Sequence, residues 1–160
     1  MGITTAKEAA YDPRVVAFGR MMGAANRLEY LLGRALETEC GISHLMFEVL
    51  LILGRAGEAG MSMRAIAQEQ VLTTGGATRL VDRMTTLGLV VRASDPEDRR
   101  VQLVRLTGKG EETAVRAARM HVENIQRLFL DPLPADHREQ FTLDLRTLSH
   151  SARDALPRLR

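Results

Sequence analysis

Residues 61–107 read MSMRAIAQEQVLTTGGATRLVDRMTTLGLVVRASDPEDRRVQLVRLT, and this stretch decides the fold. Ser62 precedes a short run with helical periodicity, and Thr73 or Thr74 precedes a longer run that ends before Gly88. Two helices joined by such a tight turn predict a helix-turn-helix, a motif whose second helix enters the major groove of DNA. Strand-like residues 89–92 and 101–106 enclose a charged loop, which predicts a β-hairpin.

A long helix is predicted before this stretch, between Pro13 and Gly41. Its apolar residues recur at steps of three and four, namely at Val15, Phe18, Met22, Ala25, Leu28, Leu32 and Leu36. Ser43 is the expected N-cap of a second helix that runs from His44 to about Arg55. The first 12 residues have no clear pattern, so we expect a flexible N-terminal arm.

Two further helices are predicted after the hairpin. Thr107 is the expected N-cap of the first, and the segment Asp131–Pro134 separates it from the last. The last helix carries one apolar stripe, formed by Phe141, Leu145, Leu148, Ala152 and Leu156. A single copy of the chain has too little core to cover the stripes of the first and last helices, which favours a dimer over an intramolecular helix bundle.

Composition limits the class of protein. The chain has 160 residues, 45% of them hydrophobic and 26% charged, with a net charge of +2, as is ordinary for a globular domain. It has one cysteine, so an intramolecular disulfide is excluded. No secretory signal and no apolar run of membrane-spanning length is present, so we expect a cytoplasmic protein without a membrane partner. No phosphate loop, metalloprotease motif or nucleophile elbow is found, so we expect neither an enzyme nor a cofactor.

Five short motifs, in this order and at this spacing, resemble the MarR family of winged helix-turn-helix transcriptional regulators. The resemblance covers roughly residues 13–156, and the motifs are Met63–Ala67, Thr78–Met84, Leu87–Val90, Asp95–Arg100 and Leu106–Gly110. It implies a mainly α fold with a small β-hairpin wing, in the α+β class. Residues 42–107 would form the winged DNA-binding domain, and residues 13–41 and 108–160 the helical dimerisation region.

The resemblance also implies a function and a set of DNA contacts. Members of the family are homodimers that read a pseudo-palindromic operator in double-stranded DNA, usually as repressors. The recognition helix would present Thr74, Gly75, Gly76, Thr78 and Arg79. Arg100 in the wing would enter the minor groove, oriented by Asp98, while Arg92, Arg99 and Arg64 would contact phosphates.

A small anionic or phenolic effector is a further expectation from the family. Such a ligand would occupy a cleft between the dimerisation region and the winged domain, and it would release the DNA. The candidates to line that cleft here are Asn26, Tyr30, Arg34, His44 and Phe47. Met46 stands where the family often has Gln, so no particular ligand chemistry is carried over.

Three other hypotheses about the function stay open at this point. Cys40 would serve a redox sensor, although the adjacent Glu37 and Glu39 oppose a reactive thiolate. A zinc sensor would use Cys40, Glu37, His44 and His121, but Gly41 separates Cys40 from His44, so we expect no metal site. A winged-helix module that binds protein instead of DNA is the third alternative.

Overall fold

A computed structural model of the chain describes residues 2–95, 98 and 101–156. The helices within these residues are α1 Ala6–Tyr11, α2 Pro13–Cys40, α3 His44–Ala56, α4 Met63–Glu69, α5 Thr74–Thr86, α6 Gly108–Ile125 and α7 Arg138–Ala155. The strands are β1 Met61–Ser62, β2 Val90–Ser94 and β3 Gln102–Leu106. A π-helical turn, Gln126–Leu130, ends α6, and a 3₁₀ turn, Ala135–His137, precedes α7. The expected mainly α fold with a β wing is confirmed.

Side-chain caps fix where the helices of the middle segment begin. Ser43, Ser62, Thr73 and Thr107 each accept a hydrogen bond from the backbone N–H three residues later, at 3.0–3.2 Å. Such a bond satisfies one of the amides that a helix start leaves unpaired. The predicted caps are confirmed, and Thr73 rather than Thr74 caps α5.

The N-terminal segment differs from the prediction. Residues 1–12 showed no periodicity, yet Ala6–Tyr11 form a helix. Thr5 and Glu8 make a capping box, in which each side chain bonds the other residue's backbone N–H. Asp12 then accepts from the Arg14 N–H and caps α2, with Pro13 at its first position. The sequence pattern therefore missed this short helix, while the flexibility of the arm stays a prediction.

The sheet has one strand more than the predicted hairpin. Its antiparallel order is β1–β3–β2, with Met61 opposite Val104, and Arg92 also opposite Val104 from the other side. β1 has only two residues, which is too short to give a periodic signal. Because β1 leads directly into α4, its pairing with Leu103 and Val104 fixes the helix-turn-helix to the middle of β3.

One core lies among α3, α4, α5, the sheet, the end of α2 and the first half of α6. Its fully buried members include Leu36, Leu50, Ile66, Val81 and Val104. The outer helices are covered far less. No described residue of α7 is buried, and α2 buries only Leu32 and Leu36 of its 28 residues.

No single helix of the described ranges is long and apolar enough to cross a membrane. Helix α2 together with the segment His44–Ala59 meets the length and composition test only as a pair, and the pair is bent by 78° at its break.

Candidate nucleic-acid interface

The first turn of α5 is open to solvent. Thr74, Gly75 and Arg79 are exposed, while Gly76 and Thr78 are half-buried. The five residues predicted for the recognition helix therefore lie together on or beside its N-terminal turn. This turn also carries the positive end of the helix dipole and amides that have no partner within the helix, both of which favour an anion such as phosphate.

The two glycines of this turn have different surroundings. A Cβ on Gly75 would meet nothing within 4 Å, whereas one on Gly76 would lie 3.3 Å from the Thr73 hydroxyl that caps the helix. Packing inside the chain therefore explains the absence of a side chain at Gly76 but not at Gly75. At Gly75 the free space is available to a molecule outside the chain.

The turn that precedes α5 contains Val71 in a left-handed conformation, with φ of 52°. A β-branched side chain is rarely found there, because its Cβ crowds the backbone. The turn is nevertheless held, since the Leu72 N–H bonds the Ala67 carbonyl at 2.8 Å and the Val71 N–H bonds the Gln68 carbonyl at 3.3 Å. These bonds fix the tight connection between α4 and α5.

Arg92 occupies a place that the sequence did not predict. It was expected to contact a DNA phosphate, but its Nη2 lies 2.7 Å from Asp82 Oδ1 on α5. The same nitrogen lies 3.5 Å from the Thr78 carbonyl oxygen. An ion pair between a strand and a helix has no local sequence pattern, so this partnership could not be read from the sequence.

The structure describes both strands of the wing and, in the loop between them, Asp95, Asp98 and Val101. Ser94 and Gln102 are hydrogen-bonded through their side chains at 3.2 Å, and the Asp95 N–H bonds the Val101 carbonyl at 2.9 Å. Asp98 is exposed, and its carbonyl accepts from the Val101 N–H. Arg99 and Arg100 lie outside the described residues. On α4, the predicted phosphate contact Arg64 is exposed.

The motif Leu106–Gly110 joins the wing to α6. The Thr107 hydroxyl donates to the Gly88 carbonyl at 2.6 Å while it caps α6. Lys109 Nζ donates to the Leu87 carbonyl at 2.8 Å. A Cβ on Gly110 would overlap the Leu89 carbonyl oxygen, so only glycine permits this close approach. The end of α5 is thereby tied to the start of α6.

The five cleft candidates do not form one site within this chain. His44 contacts Glu29, and its ring centroid lies 5.2 Å from that of His121. Phe47 is buried and packs edge-on against His121 at 4.8 Å. By contrast, Asn26 and Tyr30 are exposed on α2, and Arg34 lies 3.7 Å from Glu37.

His121 is the centre of this cluster; the sequence places it on the apolar stripe of its helix, as a core or cleft histidine or a possible metal ligand. The side chain is 6% exposed, and its Nδ1 has no hydrogen-bond partner among the described residues. Burial lowers the pKa of His121, and His44 lowers it further, while Glu29 opposes the shift. Glu29 was missed because its position on the exposed side of α2 gives no sign that it reaches α3.

Two surface depressions are lined by other parts of the chain. One of about 560 Å³ lies along α6 from Glu111 to Glu123, and one of about 610 Å³ lies between the end of α3 and the start of α6. No cleft candidate lines either of them. In the part of the chain that the structure describes, no group of three His, Cys, Asp or Glu residues could hold a metal ion. Cys40 is half-buried beside the core.

A helix-turn-helix with an exposed first turn, beside a β-hairpin and fixed to it by the sheet, defines a winged helix-turn-helix DNA-binding protein. The sequence profile of the MarR family matches residues 32–101. The chain is 30% identical over 108 residues to the uncharacterized HTH-type transcriptional regulator YkoM of Bacillus subtilis. The aligned residues make up 68% of each chain. The chain therefore belongs to the MarR family of transcriptional regulators.

Solved structures of similar fold include two with bound molecules. The MarR family regulator Sco3205 of Streptomyces coelicolor, in complex with DNA, has a TM-score of 0.79 at 24% identity, over 94% of this chain and 91% of that one. CouR of Rhodococcus jostii, bound to p-coumaroyl-CoA, has a TM-score of 0.74 at 24% identity, over 91% of this chain and 95% of that one. At these identities the likeness shows the fold alone.

Proposed function

We propose that two copies of this chain form a homodimer that binds a pseudo-palindromic operator and represses transcription. The observation that carries the proposal is the open N-terminal turn of α5 beside the wing, combined with helices whose apolar faces lack cover. The dimer would place two α5 helices in successive major grooves, about 34 Å apart along the DNA. As a regulator of transcription, it would be located in the cytoplasm together with the DNA. We propose no enzymatic activity.

The uncovered apolar faces support the homodimer. Phe18 on α2 is 62% exposed, and Leu148 on α7 is 57% exposed. Other large apolar side chains on the same two helices are similarly open, namely Val15, Met21, Met22, Leu31, Leu143 and Leu156 beyond its end. Large apolar side chains exposed in this number on two helices support an interface at these helices. A second copy offers the same faces and can cover them symmetrically.

The exposed first turn of α5 supports a set of proposed contacts with DNA. Arg79 would read a base, since arginine binds guanine through two hydrogen bonds. Thr74 and Thr78 would make phosphate or thymine-methyl contacts, and the backbone at Gly75 and Gly76 would lie close to a phosphate. Arg64 would add a phosphate contact from α4. We keep Asp98, Arg99 and Arg100 as the proposed wing contacts on the family resemblance.

We propose that a small anionic or phenolic ligand releases the dimer from DNA. The support is the cluster formed by Glu29, His44, Phe47 and His121, which connects α2, α3 and α6. A ligand that alters these contacts would change how the winged domain sits on the dimerisation helices. Asn26, Tyr30 and Arg34 would join the site only if the partner's helices enclose them.

Leu148→Glu tests whether the chain forms a dimer and whether DNA binding requires that dimer. We expect light scattering to give the mass of a dimer for the wild type and of a monomer for the variant, because a buried charge without a partner is costly. Operator affinity should fall with the mass. His150→Glu is the matched control, since it lies on the opposite face of α7. A dimeric Leu148→Glu variant with unchanged operator affinity would contradict the proposal.

A further inference from the structure

Arg92 joins the wing to the recognition helix. Thr78 and Asp82 are four residues apart and therefore share one face of α5. The Arg92 guanidinium spans that turn, at 2.7 Å from the Asp82 carboxylate and 3.5 Å from the Thr78 carbonyl oxygen. Its Nε is buried and has no hydrogen-bond partner in the described ranges. The charged end of the side chain is thus committed to α5.

Because Arg92 lies in the middle of a wing strand, its contact with α5 can limit rotation of the whole hairpin. Arg92 is the central residue of β2, opposite Val104, and β2 runs directly into the wing loop. The connection from α5 to β2 has only three residues, Leu87, Gly88 and Leu89. A small rotation of the hairpin about that connection would move the wing tip by a larger distance. The contact with Asp82 opposes such a rotation at mid-strand.

We propose that Arg92 and Asp82 are positioning residues that hold the wing at a fixed angle to the recognition helix. This inference rests on the proposed function, because it concerns how one winged domain reads an operator through two grooves at once. With the angle fixed before binding, less freedom is lost on the operator. Sequence discrimination, rather than general affinity for DNA, is what the pair supplies.

A phosphate contact by Arg92 predicts a different outcome. Such a contact adds affinity for every DNA sequence, and its loss reduces the dependence of log K on log salt by about 0.9. In that case Asp82→Asn would strengthen binding to all DNA, because it frees Arg92 and removes a negative charge near the phosphates. If the pair positions the wing, Asp82→Asn instead lowers the ratio of operator affinity to random-DNA affinity.

The experiment is a double-mutant cycle on DNA binding. Wild type, Arg92→Gln, Asp82→Asn and the double variant are titrated by fluorescence anisotropy at several salt concentrations. The probes are an operator duplex, selected by the wild type from genomic fragments, and a random duplex of equal length. Urea unfolding of each variant verifies that it folds. Both side chains are partly exposed, so we expect little change in the urea midpoint.

We expect each single variant to lower the affinity ratio by roughly fivefold, and the double variant to be no worse than either. Arg92→Lys keeps a cation within reach of Asp82 and should recover part of the ratio. Tighter binding of Asp82→Asn to both duplexes, with an equal loss on both for Arg92→Gln, would overturn the inference alone. A wild type that binds no fragment selectively would overturn the proposed function and this inference with it.

Discussion

Val71 is the residue where the helix-turn-helix is under local strain. Its φ of 52° costs an L-residue about 1–2 kcal/mol, and its side chain is 66% exposed, so little packing offsets that cost. Asparagine tolerates this conformation better. We expect Val71→Asn to raise the free energy of unfolding by about 1 kcal/mol, measured by urea denaturation. A fall in stability would mean that the valine side chain contributes packing that outweighs the strain.

A substitution at Gly75 should change the stability of α5 and its proposed binding of DNA in opposite directions. Its surroundings within the chain are empty, so Gly75→Ala should stabilise the helix by up to about 1 kcal/mol. If the backbone approaches a phosphate at this position, the added methyl group should weaken operator binding at the same time. Thermal unfolding and anisotropy on the same samples test both effects. Unchanged affinity in a stabilised variant would exclude a close approach of DNA at Gly75.

At the scale of elements, Gly110 tests the joint between the wing and α6. A Cβ there would overlap the Leu89 carbonyl oxygen and lie 3.0 Å from its carbon, both of them backbone atoms that cannot turn aside. We expect Gly110→Ala to lower the free energy of unfolding by about 3 kcal/mol, in the range of overpacked cores. Gly108→Ala is the matched control, because a Cβ at Gly108 meets nothing within 4 Å. Equal stability of the two variants would contradict this packing.

His121 links three helices and predicts how stability depends on pH. Its pKa is lowered in the folded chain, so the unfolded chain binds the proton more readily. Stability should therefore be complete above pH 6.5, the ordinary histidine value, and fall as the pH drops from there towards the lowered pKa. His121→Leu should flatten this loss in urea midpoints between pH 8 and 5. Exposed His150→Leu is the control, and an equally flat curve for it would refute the assignment to His121.

The elements that the sequence predicts well are those whose signals are local. Caps such as Ser43, Ser62 and Thr107 lie next to the helices they start, and apolar steps of three and four mark α2 and α7. Two elements were missed for a physical reason. β1 is held by its pairing with β3, and α1 is a single capped turn and a half, so neither is long enough to show a period.

At the candidate site, the contacts between elements are what the sequence could not show. The exposed residues of α5 were found from their place in the motif, because a helix start is visible in sequence. The phosphate contact of Arg92 stays a prediction, but its partner Asp82 was not foreseen, because an arginine in a wing strand shows its charge and not its neighbours. Likewise, His44 was named without Glu29 or the ring of His121, which meet it only through the packing of α2, α3 and α6.

At the scale of the whole molecule, the winged domain and the outer helices differ in how far their apolar side chains are buried within one chain. The core of α3, α4, α5 and the sheet forms within one chain, with Leu50, Ile66 and Val104 fully buried. The outer helices α2 and α7 leave large apolar side chains exposed, which a second copy would cover in the proposed dimer. In the proposed dimer, two winged domains carried on shared helices would read two half-sites together.

The central claim is that the N-terminal face of α5 reads DNA, and operator binding by anisotropy tests it most directly. Wild type, Arg79→Ala and the control Arg55→Ala, which removes the same charge from the end of α3, are compared at several salt concentrations. We predict tight, salt-dependent binding by the wild type and the control, and a loss of about 1–3 kcal/mol for Arg79→Ala. Weak and equal binding by all three proteins, across pooled genomic fragments, would contradict the claim.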